Sequence, residues 1–194
     1  GSKTLVALMP SRSAWFFDSA VKRECLNFCV RGARRLVHGG TYAITVPLSP
    51  YRCPPGPYER ACQVASYFKA AKPKSKVLIL DANPDVTSKG PLFKKVWAEQ
   101  YPGMVEFRGQ HNATAVDART NTVKFEVQDD VKADVLNVLP AMRAALVAVQ
   151  TGLANSNARW CNVNYLNFES TAAKDIHILG DSIQVAGPPV TNSA

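Results

Sequence analysis

Two cysteines, a glutamate and a Gly-Asp pair are the residues of this 194-residue chain best suited to chemistry. Cys53 lies in the loop LSPYRCPPGP, beside Arg52 and just ahead of a helical pattern. A neighbouring cation and a helix N-terminus both favour a thiolate. Glu59 falls in the first turn of that helix, a candidate proton acceptor for the same space. Cys161 follows Trp160 far along the chain. Two cysteines that meet over an electron-accepting ring form a redox disulfide open to attack by a nucleophilic sulfur. The distance between them in sequence leaves open whether they meet or stay separate, buried thiols. Gly180-Asp181 closes the apolar run IHIL. A carboxylate at the C-terminal edge of a strand can hydrogen-bond a ribityl hydroxyl, and an ordinary turn capped by Asp is the plain alternative.

The elements that position these groups follow from period and punctuation. TYAITVP (41–47) is rich in β-branched and aromatic residues and predicts a strand. YERACQVASYFKAAK carries Ala61, Val64, Ala65 and Phe68 at helical spacing and ends at Lys72-Pro73. KVLILD (76–81) is a near-continuous apolar strand of the kind buried on both faces of a parallel sheet. Together they make a βαβ crossover, the unit of dinucleotide-binding domains, with Asp81 where such domains place an acid for a ribose hydroxyl. The first turn does not suit a pyrophosphate, which needs approachable backbone amides; prolines supply none, and Gly56 is its one glycine. Phe93 to Gln100 predicts a helix, MVEF, NATAVDA and TVKFEV predict strands, VKADVLNVLP (131–140) a further buried strand, Met142 to Gln150 a helix, and IHIL a short strand. An amphipathic helix is expected from Ala14 to Val37, ending at Gly39-Gly40.

Composition narrows the class. Lys and Arg total 23 against 15 Asp and Glu, a net charge of +8, which raises the question of nucleic acid. The densest basic cluster, Lys22, Arg23, Arg31, Arg34 and Arg35, sits on an amphipathic pattern with Phe28, Val30, Leu36 and Val37 and reads as a solvated helix face or a docking surface for an acidic protein; with no known nucleic-acid motif, no nucleic acid is expected. No apolar run reaches the ~20 residues of a membrane span. Cysteines at 25, 29, 53, 62 and 161 and scattered histidines at 38, 111 and 177 lack metal-ligand spacing, so no metal is expected. Cys25, Cys29 and Cys62 read as small buried apolar residues. Gly1-Ser2 resembles the scar of a cleaved expression tag.

RCPPGPYER (52–60), KPKSKVLILDA (72–82), FKKVWAEQYPGMVEF (93–107), KADVLNVLP (132–140), WCNVNYLNFES (160–170) and IHILGD (176–181) together resemble the flavoprotein subunit of flavocytochrome c sulfide dehydrogenase. That family is related to sulfide:quinone reductases and other pyridine nucleotide-disulfide oxidoreductase-like flavoproteins. The resemblance implies an α/β fold: a Rossmann-like domain with a parallel sheet and a small antiparallel layer, plus part of a second, FAD-type domain. The expected division is an N-terminal segment over 1–40, an NAD-binding-like inserted domain over 41–140, and a C-terminal part of the FAD-binding domain over 141–194.

It also implies FAD as cofactor, a small inorganic sulfur substrate, a c-type cytochrome subunit as partner and a periplasmic location. By motif match Cys53 and Cys161 fall on the redox-active disulfide, Glu59 on a catalytic acid/base, and Asp181, with Gly180, on a flavin-contacting motif. Hydrosulfide would attack the disulfide, and the electrons would leave through FAD to the cytochrome. Two features depart from the family. No G-x-G-x-x-G phosphate loop occurs in these residues, so tight FAD binding is expected to need the N-terminal half of the FAD domain, and LPAMRAAL stands where the family has PPQRAG. The alternative is a non-catalytic binding or electron-transfer docking module that kept the fold and lost the cofactor; an NAD-dependent thiol reductase fragment is disfavoured by the proline loop.

Overall fold

The computed structural model describes residues 6–8 and 32–184. Most of the expected N-terminal helix, with Cys25, Cys29, Lys22, Arg23 and Arg31, lies outside them. Residues 32–35 are helical. The Lys72 Nζ crowns their end, donating to the carbonyls of Ala33 at 3.0 Å, Arg34 at 2.7 Å and Leu36. A cation on the last carbonyls satisfies acceptors that have no partner within a helix.

The described residues form two compact units, the first containing residues 32–49 and 53–140 with the N-terminal strand, the second residues 50–52 and 141–184. In the first unit a five-stranded parallel sheet has the order β1-β8-β2-β3-β4. Its strands are β1 (Val6–Leu8), β2 (Thr41–Val46), β3 (Lys76–Asp81), β4 (Val105–Arg108) and β8 (Val135–Val138). β1 was not foreseen: three residues are too few to show a period, and only the partner β8 makes Val6–Leu8 a strand. The central strands are mostly apolar because both faces are covered, with Thr45, Asp81 and Asn137 the polar residues buried in them. Ala43, Leu78, Leu80, Leu136 and Val138 point to one face and pack on Val123, Phe125 and Ala133. Alternation leaves Ile44, Val77 and Ile79, all fully buried, for the opposite face.

On that face lies helix α1 (Gly56–Ala71), which buries Tyr58, Ala61, Val64, Ala65 and Phe68. Helix α2 (Gly90–Gln100) adds Phe93 and Trp97. Tyr58, Phe93, Trp97 and Phe107 form a run of ring contacts at centroid distances of 5.5 Å, 6.0 Å and 6.2 Å. The other layer is a small antiparallel sheet of β5 (Ala113–Asp117), β6 (Thr122–Phe125) and β7 (Val131–Lys132), in that order. The expected strand over 131–140 is therefore two strands in two sheets. Asp134 makes the break: its carboxylate accepts the Thr41 amide at 2.7 Å and its own amide donates to the Thr41 carbonyl at 3.0 Å. That redirects the chain from the antiparallel layer into the parallel one.

The second unit is largely loop. It holds a short helix α3 (Leu146–Gln150), a 3-10 turn (Gly180–Ser182) and isolated bridges that pair Cys161 with Ile183, Val163 with Ser170 and Glu169 with His177. Ala144, Ala148, Trp160 and Cys161 form its core, packed by Met142, Leu153, Ala154 and Ile178. Two expectations fail here. The helix expected from Met142 begins at Leu146, because the Ala144 amide is drawn to the Arg159 carbonyl at 2.6 Å and Arg159 holds the Met142 carbonyl at 2.8 Å. IHIL is not a strand: it lacks a continuous partner, and its Leu179 is 68% exposed.

Candidate functional site

In the first unit, the proline-rich loop delivers Cys53 to the N-terminus of α1. Its φ of 54° is left-handed, an unfavourable setting for a residue with a Cβ that costs about 1–2 kcal/mol. The turn is closed by the Gly56 amide, which donates to the Cys53 carbonyl at 2.9 Å. A Cβ on Gly56 would lie 3.1 Å from the Cys53 Sγ, so the sulfur rests directly on the first residue of the helix. Cys53 is exposed, at the end of a helix where partial positive charge accumulates.

Glu59 is exposed in the first turn of α1. Its charge is felt by Cys62, one turn along. The Cys62 thiol is pushed up mainly by burial and further by Glu59, against a hydrogen bond from the Trp97 indole to its sulfur at 3.3 Å. This pairing of Cys62 with Trp97 was not anticipated. Helical spacing does place Cys62 beside Glu59, but nothing in sequence brings α2 across it.

Asp81 stands at the end of β3, where a dinucleotide-binding domain offers an acid to a ribose. It is fully buried, not open to a ribose. One oxygen accepts the Tyr58 hydroxyl at 2.6 Å; the other accepts the Asn83 amide at 2.8 Å and its side chain at 2.7 Å. Asn83 passes the connection on, donating to the Pro47 carbonyl and accepting the Ser49 amide. The acid thus ties together the loops after β2 and β3, and burial still outweighs all these donors and pushes its pKa up.

In the second unit, Cys161 is fully buried, and burial pushes its thiol up. Its amide donates to the Ser182 carbonyl at 2.9 Å and its carbonyl accepts the Gln184 amide at 2.7 Å. Two predicted site elements, Cys161 and the Gly180-Asp181 turn, are therefore brought together by main-chain bonds. Gly180 has φ 73° and open space above it. Asp181 is exposed. The Arg52 guanidinium donates to the Asp181 carbonyl at 2.7 Å and the Ile183 carbonyl at 2.5 Å and lies 3.9 Å from the Trp160 ring centre. Sequence reasoning missed this use of Arg52, and Arg159 with it.

The comparisons agree with this architecture. Residues 31–140 match the family described as "Sulfide dehydrogenase (flavocytochrome c) flavoprotein chain, central". The chain belongs to this family. It is a family of flavin-dependent oxidoreductases, and the matched span includes Cys53 and Glu59. Among solved structures, the sulfide:quinone oxidoreductase of the hyperthermophilic bacterium Aquifex aeolicus is similar at a TM-score of 0.58 and 18% identity, over 75% of this chain and 36% of that one. A mutant of the HOCl-induced flavoprotein disulfide reductase RclA from Escherichia coli is similar at 0.51 and 18% identity, over 74% and 31%. At such identities the likeness concerns fold: a parallel sheet with a separate antiparallel layer, as in pyridine nucleotide-disulfide oxidoreductase-like proteins. The chain spans about a third of the length of these structures.

The groups at the Gly180-Asp181 turn that could meet a cofactor are the exposed Asp181 carboxylate and the open backbone at Gly180, next to Ser182, whose carbonyl accepts the Cys161 amide. The phosphates have no glycine-rich cradle in this sequence. Among the described residues no group of three or more His, Cys, Asp or Glu could hold a metal ion, and no helix is long and apolar enough to cross a membrane.

Proposed function

We propose that this chain is part of a flavin-dependent sulfide dehydrogenase, acting on inorganic sulfide in the periplasm and passing electrons to a c-type cytochrome subunit. The family match over residues 31–140 carries this assignment, because it covers the segment with Cys53 and Glu59. In this scheme Cys53 and Cys161 form the redox disulfide. Hydrosulfide attacks one of its sulfurs; a new S–S bond leaves a persulfide on that cysteine, and the other leaves as thiolate with the electron pair of the broken bond. Glu59, exposed beside the loop of Cys53, takes up or returns the accompanying proton. Asp181 and Gly180 hold the ribityl side of the cofactor. FAD, when bound, supplies the two-electron acceptor that allows the thiol pair to be reoxidised.

Exposure supports a division of labour. The accessible sulfur is Cys53, whereas Cys161 is fully buried. Attack is thus expected at Cys53.

Peptide mapping without reductant tests the scheme. A disulfide-linked peptide pair containing Cys53 and Cys161 is the expected result. Both residues recovered as alkylated thiols from the oxidised protein, with no flavin taken up by the full flavoprotein subunit, would leave the non-catalytic docking module in its place.

A further inference from the structure

Arg52 precedes the candidate redox cysteine, yet its side chain is committed elsewhere. Its Nε donates to the Asp181 carbonyl at 2.7 Å and its Nη2 to the Ile183 carbonyl at 2.5 Å. Those two carbonyls bracket Ser182, whose own carbonyl takes the Cys161 amide at 2.9 Å. The segment from Asp181 to Gln184 is therefore gripped on one side by the main chain of Cys161 and on the other by a planar fork. We propose that Arg52 is a positioning residue that holds the Gly180-Asp181 turn and Cys161 in a single geometry toward the flavin. The role rests on the reading of Asp181 as a flavin-contacting residue.

The chemistry calls for arginine. Two donors at fixed spacing match two carbonyls, and the flat face stacks on an aromatic ring, as it does 3.9 Å from the centre of Trp160. A lysine ammonium is a point charge that cannot do both. Trp160 is buried in the core with Ala144, Ala148 and Cys161, and its indole N–H has no acceptor among the described residues. Arg159 secures the backbone behind Arg52. It donates to the Pro50 carbonyl at 3.2 Å and to the Met142 carbonyl at 2.8 Å, with its guanidinium 5.6 Å from the centre of the same ring. The Arg52 amide points at the Met142 sulfur at 3.2 Å. Residues 50–52 thus form a strap laid down by one arginine so that the next can reach the turn.

The test uses the full flavoprotein subunit with its flavin and compares wild type, Arg52→Lys and Arg52→Ala. Flavin affinity, the visible flavin spectrum and the rate at which sulfide bleaches the flavin are read alongside the thermal midpoint. Arg52→Lys is expected to fold with a near wild-type midpoint, bind flavin more weakly, shift its spectrum and bleach about 10²-fold more slowly, the scale of a misplacement of about 1 Å. Free guanidinium ion is expected to restore part of the rate in Arg52→Ala. Wild-type affinity, spectrum and bleaching in Arg52→Lys would overturn the role. A wild-type subunit that binds flavin and is not bleached by sulfide overturns the sulfide assignment alone, since affinity and spectrum still read Arg52. A wild-type subunit that binds no flavin overturns both.

Discussion

Tyr58 donates its phenolic hydrogen to Asp81 across 2.6 Å, and both side chains are completely buried. The pair joins the first helix of the crossover to the C-terminal end of β3, at the position where a dinucleotide-binding domain would offer an acid to a ribose. Removing the hydroxyl leaves a buried carboxyl short of a donor, which costs about 1–3 kcal/mol. Tyr58→Phe is accordingly expected to lower the unfolding free energy by that amount at neutral pH, read as a lower urea midpoint. An unchanged midpoint would show that Asp81 is satisfied without Tyr58.

The same carboxyl gives stability a pH dependence. Burial raises the Asp81 pKa in the folded chain above its ordinary value. Between the two values the native state binds more protons than the unfolded one, so stability falls as pH rises through that window. Asp81→Asn cannot titrate. Relative to the variant, the wild type is expected to lose stability as pH is raised from about 4, the ordinary carboxylate value. Parallel curves in urea titrations at successive pH values would argue against it.

Gly109 closes the same end of the sheet. A Cβ there would lie 2.5 Å from the Pro84 carbonyl oxygen and 3.0 Å from that of Asn83, both backbone atoms. Neither can turn aside as a side chain would. Gly109→Ala should therefore destabilise by about 1–3 kcal/mol, the usual cost of overpacking, measurable as a lower thermal midpoint.

Glu59 can be followed through its neighbour Cys62. The carboxylate helps hold the Cys62 thiol up, and the Trp97 indole acts against it. Glu59→Gln should speed alkylation of Cys62 near neutral pH, whereas Trp97→Phe should slow it unless the thiol is uncovered by the smaller ring. Mass spectrometry of iodoacetamide time courses separates the sites. No change with Glu59→Gln would place its charge away from Cys62.

In reduced protein, Cys53 should be alkylated before Cys161. The first is exposed; the second is buried and its thiol is pushed up, so little thiolate forms at neutral pH. Cys161 should become reactive only as pH rises past the ordinary thiol range. The reverse order would assign the accessible, attacked sulfur to Cys161.

The sequence by itself determined the crossover and the family. The apolar run of KVLILD, the helical spacing of Ala61, Val64, Ala65 and Phe68, and the RCPPGPYE and WCNV segments were legible because period and motif are properties of consecutive residues. Tertiary structure alone decided where polar groups spend their bonds. Asp134 splits one apparent strand in two because Thr41 lies within its reach. Arg159 unwinds the start of an expected helix by taking the Met142 carbonyl. Asp81 became a buried tie because Tyr58 and Asn83 close over it, and Arg52 reaches across the sequence to the turn at Asp181. A side chain's hydrogen-bond partner is chosen by proximity in space, which neither composition nor spacing records, and a charge or donor removed from water must find such a partner or incur the cost of burial.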